Sequence, residues 1–127
     1  GGVNSDPVWS HDGQFIVYSE NWGGPAYRLK GITPEKHRFL LPEITVRPGG
    51  NRYRFLPGGK ALLLMLGGLR EHDFWLLDLG TGRVRRLTEL RPGFDMKSFD
   101  VSPDGKQILF DRFRENADVV LIDLPPR

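Results

Sequence analysis

The sequence predicts an all-β fold built from three copies of one antiparallel sheet unit, and three observations carry that prediction. A turn is triplicated: Ser10-His11-Asp12-Gly13-Gln14 returns as Leu56-Pro57-Gly58-Gly59-Lys60 and again as Ser102-Pro103-Asp104-Gly105-Lys106. Its glycines, Gly13, Gly59 and Gly105, are spaced 46 residues apart, a period that marks one supersecondary unit copied in tandem. Short apolar runs flank every turn, and no 3.6-residue periodicity accompanies 16 Gly and 10 Pro, which excludes helical repeats.

Each copy reads as the same succession of elements. Val8-Trp9, Arg54-Phe55 and Asp100-Val101 precede the turn; Phe15-Ile16-Val17-Tyr18, Ala61-Leu62-Leu63-Leu64-Met65 and Ile108-Leu109-Phe110 follow it. Two apolar runs around such a turn make a β-hairpin. Asp-Gly supplies residues that tolerate positive φ, and Pro103 pre-sets φ ahead of it. The runs after the turn are almost continuously apolar, the pattern of strands covered on both faces. A third strand follows: Ala26 to Lys30, then DFWLLDL (residues 73–79), then DVVLIDL (residues 118–124). The loops before it, near residues 21–25, 67–72 and 112–117, are polar or Gly-rich, as exposed connections should be. A fourth strand is expected at Arg83-Val84-Arg85-Arg86-Leu87-Thr88 and at Lys36-His37-Arg38-Phe39-Leu40-Leu41, whereas the third copy reaches Pro125-Pro126-Arg127 without one.

Four short antiparallel strands in a repeat of roughly 40–50 residues describe a propeller blade. The expected fold is therefore a partial β-propeller of about three four-stranded blades, the last lacking its outer strand. One propeller segment is expected over residues 1–127: blade one at about 5–46, blade two at about 51–91, and incomplete blade three at about 97–127. Such a segment stays open unless oligomerisation or further blades complete it. Phe15, Val17, Ile108 and Phe110 are expected on the two open faces, and patches of that kind drive association. Two chains could close a six-bladed ring.

Composition narrows the function classes. The chain has 18 Lys+Arg against 16 Asp+Glu, a balance that does not point to nucleic acid. It has no Cys, hence neither disulfides nor a Cys-based zinc site. No apolar run is long enough for a membrane span, so no membrane insertion is expected of this segment.

Trp9-Ser10-His11-Asp12-Gly13, Ser102-Pro103-Asp104-Gly105-Lys106 and the stretch from Trp75 to Thr88 (WLLDLGTGRVRRLT) resemble the TolB-like, WD40-like PD40 propeller repeat. The resemblance covers nearly the whole chain. It departs from the pattern at His11, where Pro is usual, at Gly31, where the strand-ending Asp is usual, and at Gly58, where the turn Asp is usual. The resemblance implies a non-catalytic sensor, scaffold or protein-interaction module that binds a protein or peptide. The implied setting is the C-terminal end of a bacterial multidomain protein, kinase- or winged-helix-linked, with periplasmic or extracytoplasmic placement favoured. The alternative is the regulatory propeller portion of a prolyl-oligopeptidase-like hydrolase.

Individual residues add little chemistry. Asp12, Asp78, Asp104 and Asp123 recur at equivalent positions, which suits turn and strand-end hydrogen bonding better than an active site. His11, His37 and His72 lack metal-ligand spacing, and no nucleophile-elbow or phosphate-loop motif occurs. No catalytic residue, metal site or cofactor is therefore expected. Arg83, Arg85, Arg86 and Arg91 form the one dense basic run; charge on an outer strand blocks sheet pairing. Trp9, Phe55 and Phe99 are expected to fill the spaces between blades. Trp22, on the loop Asn21-Trp22-Gly23-Gly24, is a candidate partner contact, as are Arg112 and Arg114 flanking blade three. The residues assigned to the repeat turns are Asp12, Gly13, Gly58, Gly59, Asp104 and Gly105.

Overall fold

In a computed structural model, which describes residues 2–115 and 117–126, the chain forms three antiparallel sheets in sequence order and no closed barrel. Blade one contains β1 (Val3–Trp9), β2 (Ile16–Asn21), β3 (Tyr27–Ile32), β4 (Arg38–Phe39) and β5 (Thr45–Val46); blade two contains β6 (Tyr53–Phe55), β7 (Ala61–Gly68), β8 (Glu71–Asp78) and β9 (Val84–Arg86); blade three contains β10 (Phe99–Val101), β11 (Gln107–Phe113) and β12 (Ala117–Asp123). This is the partial, open propeller that the repeat predicts.

The turns are closed locally. Gly13, Gly59 and Gly105 all take positive φ, at 72°, 70° and 73°, and each donates its N–H to the carbonyl three residues back. Such φ values are strained for residues with a Cβ, which explains the invariance of glycine across the copies. In blades one and three a serine and an aspartate complete the turn. The Ser10 hydroxyl donates to Asp12 at 2.6 Å and accepts from the Phe15 N–H at 3.0 Å; Ser102 repeats this with Asp104 and the Gln107 N–H. Those serine hydroxyls, followed by the N–H groups of Gln14 and Lys106, hold both carboxyls below the ordinary Asp range.

The expected fourth strand of blade one is divided. β4 pairs with one end of β3, opposite Gly31 and Ile32, and β5 pairs with the other, opposite Tyr27 and Arg28. Pro42, which has no N–H to give a ladder, lies between them. The departure at Gly31 is steric: a Cβ there would collide with the Phe39 ring, which packs edge-on against Phe15.

Two clusters hold the sheets face to face. The first joins Val17, Leu29, Ile44 and Val46 of blade one to Tyr53, Phe55, Leu62, Leu64 and Leu77 of blade two. The second joins Ala61, Leu63, Met65, Phe74 and Leu76 of blade two to Met96, Phe99, Ile108 and Phe110 of blade three. Every blade thus has a forward face toward the following sheet and a rear face toward the preceding one. Side chains alternate between these faces along a strand, so the assignment of open-face residues is reversed from expectation. Val17, Ile108 and Phe110 are buried against blade two, and Phe15 packs there as well. Their neighbours in the strand, Ile16 and Tyr18 in blade one and Leu109 in blade three, face outward.

Candidate functional site

The inner strands of all three blades converge on one cavity of about 400 Å³ near the triplicated turns. Val8 and Trp9 of β1, Arg54 and Phe55 of β6, and Asp100 and Val101 of β10 line it, with His11 and Pro103 at its turn end. Repeat equivalence explains its composition. Trp9, Phe55 and Val101 each stand four residues before the turn glycine. Phe55 is covered by blade one, but Trp9 has no preceding blade against it and is 59 % exposed. The expectation that Trp9, Phe55 and Phe99 fill the spaces between blades therefore holds for the two phenylalanines and not for Trp9. Arg54 and Asp100 each occupy the strand position next to those aromatic or aliphatic residues, so strand alternation turns them away from the rear cluster. They put one cation and one carboxylate beside an indole. An aromatic surface with both charges suits a polypeptide. Ser102 also lines the cavity with His11, and its hydroxyl is engaged by Asp104 and the Gln107 N–H rather than by a base in the cavity.

The opposite end carries the loops between the second and third strands. Here the blades are tied by buried polar groups rather than by a cavity. Arg52 is buried and donates from Nη1 to the Met96 carbonyl at 2.5 Å and from Nε to the Gly49 carbonyl at 3.0 Å, linking the entry to β6 with the entry to β10. Burial, and then the nearby Arg47, disfavour its charge. His72 is buried with Nε2 3.3 Å from Asp95. Burial and then Arg52 push its pKa down despite Asp95, so His72 is neutral at pH 7 and its interaction with Asp95 is a hydrogen bond. Tyr53 links blades one and two by donating its hydroxyl to the Asp6 carbonyl at 2.6 Å, and burial pushes its pKa up to about 12.

The residues singled out from the sequence occupy separate places. Arg112 and Arg114 both approach the segment at 93–94: Arg112 lies 4.4 Å over the Phe94 ring and pairs with Asp118 at 2.9 Å, and an Arg114 guanidinium nitrogen would lie 3.8 Å from a Cβ on Gly93. Trp22 is on blade one, 75 % exposed, with its ring beside Gly2. Asp78 accepts from the Gly80 and Thr81 N–H groups, and Asp123 accepts from Gln107; both perform turn and strand-end chemistry. Arg85 and Arg86 lie on outer strand β9, where Arg86 pairs with Asp73. Among the described residues no group of three or more His, Cys, Asp or Glu is arranged to hold a metal ion, and no helix is long and apolar enough to cross a membrane.

The fold recurs in solved structures of larger proteins. TolB from Acinetobacter baumannii superposes with a TM-score of 0.73 at 21% identity, over 96% of this chain and 30% of that one. An oligogalacturonate lyase in complex with manganese gives 0.70 at 18% identity, over 98% and 36%, and a prolyl endopeptidase gives 0.70 at 16%, over 99% and 21%. This chain is a β-propeller segment. At these identities the likeness concerns the fold, and the segment spans little more than a third, at most, of the length of these three proteins. No family model matches the chain, and no curated protein matches its sequence.

Proposed function

We propose that this segment is a non-catalytic interaction module of TolB-like, PD40 type that docks a protein or peptide at the turn end of its axis. The observation that carries the reading is the cavity shared by three inner strands, where Trp9, Arg54 and Asp100 meet. An exposed indole provides apolar contact area at low entropic cost, and the flanking charges orient a chain that brings both a carboxylate and an amine. The TolB resemblance supports an extracytoplasmic placement, and the motif pattern supports a bacterial multidomain parent. Trp22 on blade one and Arg112 and Arg114 on blade three lie toward the other end of the sheets and are separate competing contacts.

Peptides selected from a random display library on the immobilised chain test this, with affinities then measured by calorimetry. Arg54→Ala should weaken the selected peptides about tenfold while leaving the circular dichroism spectrum unchanged. If Trp22→Ala abolishes binding and Arg54→Ala has no effect, the axial cavity is not the site. A second reading makes the segment the regulatory propeller portion of a prolyl-oligopeptidase-like hydrolase. Its support is the fold shared with prolyl endopeptidase. A Gly-x-Ser-x-Gly segment downstream in the parent reading frame is its mark.

A further inference from the structure

The two uncovered sheet faces complement one another. The rear face of blade one follows from the register of β2: Ile16 is opposite Trp9 and Ile32, Tyr18 is opposite Lys30, and Glu20 is opposite Arg28. Arg38 extends this face opposite Ile32. A groove of about 410 Å³ runs across it, lined by Tyr18, Arg28, Lys30 and Arg38 among others. The face carries three cations against Glu20 and Glu43, the latter paired with Arg28 at 2.7 Å, and is centred on aromatic and aliphatic side chains. The forward face of blade three follows from the pairing of β11 with β12: Leu109 is opposite Leu121, Asp111 opposite Val119, and Gln107 opposite Asp123. Asp100 joins it opposite Leu109. This face carries three carboxylates around an apolar centre in which Leu109 is 46 %, Leu121 57 % and Val119 69 % exposed.

These are also the faces that the repeat uses internally. Trp9 and Ile16 occupy the repeat positions of Phe55 and Leu62, which pack against blade one; Leu109 occupies the position of Leu63, which packs against blade three. We infer that the forward face of blade three packs on the rear face of blade one of a second copy of this chain, and that the reciprocal contact closes a ring. Closed propellers have four to eight blades. Two copies of this 127-residue segment, with three sheets each, give six, a number within that range. The ring carries two equal forward-to-rear contacts related by a two-fold axis. Opposite charge across each contact sets its direction, because forward-to-forward pairing would place carboxylates against carboxylates.

Light scattering after size exclusion tests the ring. The chain should elute at twice 14.4 kDa across a dilution series. Leu121→Asp disables only the forward face and Trp9→Asp only the rear face, and both positions are exposed in the single chain, so each variant should retain its circular dichroism spectrum. Either variant alone should weaken the dimer about a hundredfold, since every contact needs one of each face. Mixed together, the two variants retain one intact forward-to-rear contact and should associate more tightly than either does alone. A folded monomer of 14.4 kDa overturns the inference, as does growth beyond two chains, a dimer that survives Leu121→Asp, or a mixture no tighter than the separate variants. Trp9 and Asp100 belong to the closing faces as well as to the docking cavity, whereas Arg54 lies on blade two, outside both closing faces, so the Arg54→Ala peptide test and the Leu121→Asp light-scattering test can fail independently.

Discussion

Blades two and three are written in nearly the same residues and end in different environments. DFWLLDL and DVVLIDL occupy the same place in blades two and three, yet Phe74 and Leu76 are buried whereas their counterparts Val119 and Leu121 are more than half exposed. The strands before them behave likewise: every residue from Ala61 to Met65 is buried, while β11 alternates between the buried Ile108 and Phe110 and the exposed Leu109. The apolar run reports a strand intended for two covered faces, and the cover itself comes from whichever sheet lies alongside. Blade two has both neighbours within this polypeptide, and blade three has one.

The largest expected effect is at the position shared by the two blades. Leu63→Ala should cost about 2–5 kcal/mol in urea unfolding, because the cavity forms in a packed interface. Leu109→Ala should cost less than about 1 kcal/mol at concentrations where chains are separate, since its side chain already meets water. If the two costs are equal at high dilution, the contrast between the blades is wrong. The proposed ring would cover that residue, so the Leu109→Ala cost should grow at higher concentration.

The turns give a second, smaller contrast. Blade three closes its turn with Ser102 and Asp104, whereas blade two has Leu56 and Gly58 in their places and buries Leu56 completely. Leu56→Ser should cost about 2–4 kcal/mol, because the serine gives up core packing. Ser102→Ala should cost about 1 kcal/mol, the value of its hydrogen bonds to the Lys106 and Gln107 N–H groups. A reversed order in thermal unfolding would show that the local hydrogen bonds, and not packing, hold the blade-two turn.

The smallest expected effect is a pH dependence at the opposite end. His72 titrates below its ordinary 6.5 in the folded chain because it is buried. Below that pH the unfolded chain binds a proton that the folded chain resists, so stability falls as pH drops from 6.5 toward the folded value, and rises again with pH through the same window. His72→Gln should flatten this slope. Blade three has no histidine at the matching position, so the slope reads the start of β8 in blade two.

Much of the candidate site could be read from the repeat once its faces were assigned. Trp9 aligns with Phe55 and Val101, and an aromatic at the rear position of the first blade must face whatever precedes that blade. Arg54 and Asp100 were not singled out from the sequence; the signal that could have found them is a charged residue inside the short, otherwise apolar inner strands of blades two and three. The link from Arg52 to the Met96 carbonyl was not legible, because it joins residues 44 apart in sequence through a contact that exists only when two blades stack. The same holds for His72 with Asp95 and for Tyr53 with the Asp6 carbonyl.

By itself the sequence determined the triplicated turns, the hairpins they close and the number of blades, since these depend on backbone dihedrals and hydrogen bonds spanning a few residues. The direction in which each face looks was decided only in three dimensions. Alternation along a strand defines two faces without saying which is forward; the stacking of one twisted sheet on the next makes that choice, buries Val17 and Ile108, and leaves Trp9 and Leu121 in water.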